Sequence, residues 1–265
     1  MQTMTPKEQT YDFKHAQSEW AKPPFDNIGY ISSSDALQKS DDELRSLVKK
    51  CEANRYALEI NDGLCRNYNN RWRESLGLDS TKGKRVLDFG CGMGIEALQF
   101  ARSGNQVSVA DIVPSNALLA GRVLRLFGYE PVETVNVSGE APFFKLHNQI
   151  DIFYSNGVLH HTPMIAQILS RAWEVLAPGG EARLMLYSDK GWTHFVPGEL
   201  PSIDATVTEH AGFKKFVRAF DSVGDYADWY NPEKIQCVAG PRFTLSHFEY
   251  LTKSQWYCTA ILRKV

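Results

Sequence analysis

The stretch Arg85-Val86-Leu87-Asp88-Phe89-Gly90-Cys91-Gly92-Met93-Gly94 places three glycines at alternate positions behind a short apolar run. Val86, Leu87 and Phe89 read as a buried strand, and the glycines turn it into a helix. Glycine there lets a ligand approach the backbone and lets the turn take positive φ. Amides at the start of the next helix meet that ligand with the positive end of the helix dipole. Asp88 puts a carboxylate at the lip of the turn, where it can hold a cationic amino group. The loop thus offers donors for a carboxylate and an acceptor for an ammonium, a better match to an amino-acid moiety than to a phosphate. Asp88, Gly90, Cys91, Gly92 and Gly94 are its candidate cofactor residues.

A second carboxylate, Asp111, stands at the end of the next predicted strand, Gln106 to Ala110. One strand–helix–strand unit beyond the glycine turn, an acidic residue is placed to accept both hydroxyls of a ribose. That reading is preferred to a helix N-cap ahead of Pro114, and Ile112 beside it is placed to pack on an adenine face. A nicotinamide dinucleotide would use the same geometry. Its fingerprint wants a third glycine or alanine where this chain has Ile95, and the turn lacks a basic residue for a diphosphate. A nucleotide joined to an amino acid fits better.

Alternating strands and helices must position these groups. A capping box, Ser40-Asp41-Asp42-Glu43, opens a helix with Leu44, Leu47, Val48, Cys51 and Leu58 near one face. A second helical stretch covers about Asn61 to Leu76, and Gly77 to Lys84 is a polar linker. Ile95 to Ser103 reads as a helix ended by Gly104, and Pro114 to Phe127 as another closed by Gly128. Pro131 to Val137 is strand three and Ile150 to Tyr154 strand four. Met164 to Leu176 is an amphipathic helix, turned at Ala177-Pro178-Gly179-Gly180 into strand five, Glu181 to Tyr187. Asn231-Pro232-Glu233 opens a short helix ended by Gly240-Pro241. Phe243 to Leu251 and Gln255 to Leu262 form a closing hairpin.

Val86 to Gly94 resembles the first motif of the class I S-adenosylmethionine-dependent methyltransferases. Ser155-Asn156-Gly157-Val158-Leu159-His160-His161-Thr162-Pro163 resembles the family's fourth motif, including its paired histidines, and Leu176-x-Pro178-Gly179-Gly180 matches another family hallmark. The resemblance implies a three-layer Rossmann-like α/β sandwich whose seven-stranded, mostly parallel sheet has an antiparallel C-terminal strand. It implies S-adenosylmethionine as cofactor, with Asn156 and Gly157 beside the methyl donor and Ser138, Gly139 and Glu140 near the adenine. Relatives carry an acidic residue earlier than Glu140, so the group reading the adenine amino group stays open. Trp20 to Pro24 resembles a segment that folds over the cofactor as a lid; an N-terminal arm packed on the domain is the other reading.

The chain divides into an N-terminal helical lid (1–80), a cofactor-binding core (81–187), an acceptor-side insert (188–241) and the hairpin (242–265). The insert is aromatic and acidic, which suits the wall of a small-molecule pocket with Trp20, Tyr187 and Trp192 as substrate residues. It equally suits an ordinary insert core or a face between two copies, so a homodimer is left open. His160 and His161 are candidate bases, since an imidazole has an unperturbed pKa of about 6.5; a structural role for them is equally open.

With 265 residues, 43% apolar content and a formal charge of −2, nothing global favours nucleic acid or an anionic membrane. No run nears the roughly 20 apolar residues of a membrane span. The N-terminus has no apolar signal core, and five cysteines without close pairs favour a reducing cytosol over a disulfide framework or a zinc site. The expected function is methyl transfer to a small-molecule acceptor in the cytoplasm, without metal. A non-catalytic cofactor-binding protein is the alternative, and an NAD-dependent oxidoreductase the more remote one.

Overall fold

The computed structural model of the chain describes residues 12–21, 31–55, 71–137, 146, 149–198, 200–220 and 225–265. Its centre is β1 (Arg85–Phe89), whose last four residues are buried. Val86 packs into one core while Leu87 and Phe89 pack into the other, as period-2 alternation in a strand covered on both faces requires. β1 pairs in parallel with β2 (Gln106–Asp111) on one side and β4 (Ile150–Asn156) on the other. β3 (Thr134–Asn136) extends β2, and β5 (Leu176–Tyr187) extends β4, both in parallel. β7 (Tyr257–Lys264) is antiparallel to β5, and β6 (Phe243–Leu251) closes the hairpin on β7. The order β3-β2-β1-β4-β5-β7-β6 is the expected seven-stranded sheet. Its direction of winding reverses between β1 and β4, where open sheets of this kind bind ligands.

On one face, α3 (Asp41–Arg55), α5 (Ile95–Arg102) and α6 (Pro114–Leu126) bury Leu44, Leu98, Phe100 and Val123 against Val86, Val107 and Ile152. On the other, α7 (Ile165–Val175) and α10 (Pro232–Ala239) cover Leu87, Phe153 and Leu184. Each such side chain taken fully out of water contributes about 1.5–3 kcal/mol. The capping box is present: Glu43 N–H donates to Ser40 Oγ at 3.3 Å, and Ser40 N–H to Glu43 Oε2 at 2.9 Å. Asn231 caps α10 by accepting from Lys234 N–H at 2.9 Å.

Several boundaries differ from the sequence expectations. β3 is shorter than Pro131–Val137. β5 begins at Leu176, because Leu176 already pairs with Ile150 across an irregularity between Ile150 and Ile152. The segment read as a turn therefore lies within the strand. β7 begins at Tyr257, two residues late. Of the helix expected over Asn61 to Leu76, the described part is α4 (Arg71–Ser75), and Leu58 and 61–70 lie outside the described residues.

The insert has its own small core of Trp192, Val196, Val207, Phe216 and Trp229, built by α8 (Asp189–Phe195), a short turn at Val207–Glu209 and α9 (Phe213–Phe220). N-terminal to α3 lie α2 (Ser33–Ala36) and α1 (Phe13–Trp20), and α1 buries none of its own residues. Among the described residues no helix is long and apolar enough to cross a membrane.

Candidate cofactor and acceptor site

The turn after β1 is held from below: Gly90 and Cys91 N–H both donate to Ala110 O, at 2.8 and 3.1 Å. Gly90, Gly92 and Gly94 all have positive φ, as the turn was expected to need. What a side chain would strike is different from the expectation. A Cβ on Gly90 would lie 2.4 Å from Val158 Cγ2, and one on Gly94 would lie 2.9 Å from Ala120. At these two positions glycine makes room for protein packing. Asp111 ties the second strand end to the turn. Its Oδ2 accepts from Gly92 N–H at 3.0 Å, and its Oδ1 from Val113 N–H at 2.9 Å and Asn116 Nδ2 at 3.2 Å. Burial pushes its pKa up to about 6 against the pull of those donors.

Sequence reasoning missed the charged cluster beside this turn. Glu96, in the first turn of α5, is buried and forms an ion pair with Arg55 from the end of α3. Arg55 also lies over the Trp72 ring, 5.5 Å from its centroid. Glu96 accepts a long contact, 3.4 Å, from Asn156 Nδ2 at the end of β4. Asp88 faces the same pair. Burial raises its pKa well above the carboxylate range, Glu96 raises it further, and Arg55 works against both. Asp88 Oδ2 and Asn156 Oδ1 are buried acceptors with no donor among the described residues. A buried unsatisfied acceptor costs about 1–3 kcal/mol, so these two atoms call for a donor. The one available signal was Glu96 itself, a charge inside an otherwise buried helix face.

Past Asn156 and Gly157 the chain makes a short 3₁₀ turn, Leu159–His161, whose residues are all buried. The His160 ring stacks on Tyr187 at the end of β5, centroids 3.7 Å apart and 27° between planes. His161 lies 4.2 Å from His160 and 4.8 Å from Trp20 of α1. Tyr187 meets Phe216 of the insert edge-on at 6.2 Å. Helix α1 is also tethered by Gln17 Nε2, which donates to Ile112 O at 2.6 Å, and by a His15–Asp225 ion pair at 2.5 Å. It therefore reaches from the β2 end of the site to the insert.

Residues 87–182 match the methyltransferase domain family. The chain is similar to trans-aconitate 2-methyltransferase of Deinococcus radiodurans, 32% identical over 99 residues, 36% of this chain and 35% of that one. It is 30% identical over 138 residues to ubiquinone biosynthesis O-methyltransferase of a Bradyrhizobium species, covering 51% of each. A third relative is tRNA 5-carboxymethoxyuridine methyltransferase of Escherichia coli, 28% identical over 108 residues, 40% of this chain and 41% of that one. The chain thus spans about a third to a half of the length of these relatives. The solved S-adenosylmethionine-dependent methyltransferase of Mesorhizobium loti covers 76% of this chain and 99% of its own, with a TM-score of 0.55 and 17% identity, a likeness of fold. Residues 87–182 are thus similar to the methyltransferase domain family, whose S-adenosylmethionine-dependent members share this fold.

That family's cofactor is a zwitterionic amino acid joined through a sulfonium to adenosine, and the residues present fit it. The unfilled acceptors Asp88 Oδ2 and Asn156 Oδ1 suit an ammonium, and Arg55 beside them suits a carboxylate. Of the residues expected to line the methyltransferase site, Asp88, Gly90, Cys91, Gly92, Gly94, Asp111, Ile112, Asn156 and Gly157 converge at the carboxyl ends of β1, β2 and β4. Ser138, Gly139 and Glu140 lie outside the described residues. Trp20, Tyr187, His160 and His161 form one aromatic stack. Trp192 does not join it: its ring is fully buried, 4.7 Å from Phe216, and backs the stack from within the insert core. Among the described residues no group of three or more metal-ligating side chains comes together.

Proposed function

We propose that this chain transfers a methyl group from S-adenosylmethionine to a small-molecule acceptor. The observation that carries the reading is the pair of unfilled buried acceptors beside the Arg55–Glu96 ion pair, a receptor for an α-amino acid zwitterion at the switch point of the sheet. Arg55 takes the ligand carboxylate, and Asp88 with Asn156 takes its ammonium. The Gly90–Gly94 turn lies under the amino-acid part, Asp111 binds a ribose hydroxyl, and Ile112 packs on the adenine. Asn156 and Gly157 border the reacting centre, while Trp20 and Tyr187 wall the acceptor side with His160 and His161.

When bound, the cofactor supplies an electrophilic methyl group, whose bond to sulfur breaks with the electron pair left on sulfur. The protein's own part is to orient the two reactants, to exclude water and to place charge. Asp88, Glu96 and Asp111 give the cleft an acidic character that suits a cationic cofactor. A small acceptor is favoured over RNA. Among the described residues of the insert the exposed cations are Lys190, Lys214, Lys215 and Arg218, fewer than the roughly 6–10 phosphate contacts of a nucleic-acid interface.

The test uses methyl-labelled S-adenosylmethionine with the full chain and two fractions of a cell extract, small molecules and RNA. Label in a small molecule is the expected outcome. Label confined to RNA would overturn the acceptor class, and cofactor binding without label anywhere would favour a non-catalytic role.

A further inference from the structure

Resting on that reading, we propose that His161 is the group that takes the acceptor's proton, that it does so through Nε2, and that the acceptor atom is a hydroxyl oxygen. The geometry begins at the backbone of the insert. His161 Nδ1 lies 3.1 Å from the carbonyl oxygen of Tyr226. A carbonyl only accepts, so Nδ1 carries the hydrogen, and the neutral ring keeps its lone pair on Nε2. A second strap runs the other way: Asp228 N–H donates to the carbonyl oxygen of His160 at 2.8 Å. The histidine pair is therefore registered against residues 226–228.

That segment is itself fixed. Tyr230 N–H donates to Tyr187 O at 2.9 Å, and Asp189 N–H to Tyr230 O at 3.0 Å. Lys234 holds Asp228 at 2.7 Å in a buried pair. The two histidines then differ in what they can do. His160 is 1% exposed and stacked flat on Tyr187, which assigns it to the wall. His161 keeps 7% exposure and is covered by Trp20 from the lid helix, which places it on the side where an acceptor enters.

A base fixed in this tautomer helps one acceptor class most. A neutral amine attacks with its own lone pair, and a carboxylate is already ionised. A hydroxyl gains from losing its proton during the transfer. The hydroxyl proton passes to Nε2 as an oxygen lone pair forms the bond to the methyl carbon, and the imidazolium later returns the proton to solvent. The Tyr226 carbonyl, accepting from Nδ1–H, stabilises that imidazolium. Two other ionisable rings, His160 and Tyr187, lie against the His161 ring. A direct reading of the tautomer is therefore a cleaner test than a pH profile.

Long-range 15N–1H correlation NMR of the full chain, with and without S-adenosylhomocysteine as probe, reads that tautomer. The His161 signals are assigned by their loss in His161→Asn, or in His161→Gln should the first variant fold poorly. The expected result is a hydrogen on Nδ1 and none on Nε2; a hydrogen on Nε2 would overturn the proposal. His161→Asn keeps a side-chain N–H for the Tyr226 carbonyl but has no basic nitrogen. On the acceptor found with labelled cofactor, it should lower kcat about 100- to 10,000-fold with little change in KM or in S-adenosylhomocysteine affinity. Unchanged kcat, or label found on nitrogen or carbon, would also overturn it. Lack of S-adenosylhomocysteine binding by the unmodified chain would count against the methyltransferase reading and leave the tautomer result standing.

Discussion

Asp111 is a carboxylate caught between burial and the donors that surround it, and burial wins, with a pKa of about 6. The sign follows from linkage: a pKa above the unfolded value of about 3.9 gives stability that is greatest below that value and is lost as pH rises through 6. A ribose hydroxyl donating to the carboxylate favours the ionised form and so opposes protonation. Affinity for S-adenosylmethionine should therefore weaken as pH falls from 7 through 6. Isothermal titration across that range checks this, and Asp111→Asn should bind roughly 10- to 100-fold more weakly with a flatter profile. Gly90 carries a different constraint. With φ at +77° and Val158 against it, Gly90→Ala should destabilise the chain by about 1–3 kcal/mol in urea unfolding. Adding Val158→Ala should recover the steric part and leave the backbone strain.

Among the elements, α1 is held by side-chain tethers and not by a buried face. Gln17 to Ile112 O, Trp20 to His161 and His15 to Asp225 reach three different parts of the site. Removing such a helix costs the core little and the ligands more. A chain starting at residue 31 should lose only a few degrees of melting temperature, yet S-adenosylmethionine affinity and acceptor KM should both worsen. If the deletion leaves both unchanged, α1 is a packed arm and not a lid. The α3–α5 contact is of another kind, since Arg55 and Glu96 bring two helices to the mouth of the cleft. Arg55 taken alone reads as an ordinary surface residue, and Glu96 only as a charge on an otherwise buried helix face. Their contact joins positions far apart in the chain, which local spacing does not encode.

Across the whole molecule, the parts legible in the sequence are those that a local backbone requirement dictates. The Gly90–Gly94 turn, the Ser40 capping box, Pro114 in the first turn of α6 and the Asn231 cap could each be read from a few neighbouring residues. Asp111 was legible because one strand–helix–strand unit fixes where its carboxylate must stand. Features set by distant partners were not. Val158 fills the space above Gly90, Leu176 enters β5 early because Ile150 pairs with it, and Trp192 is buried beside Phe216 in the insert core.

The central claim is that the ends of β1, β2 and β4 grip an adenosyl sulfonium amino acid. Isothermal titration of the full chain with S-adenosylmethionine, S-adenosylhomocysteine and NAD, repeated on Arg55→Ala, tests it most directly. The account predicts one equivalent of either adenosyl ligand bound, no heat with NAD, and an affinity roughly 10- to 100-fold weaker in the variant. Binding of NAD alone, or adenosyl binding indifferent to the loss of Arg55, would contradict it.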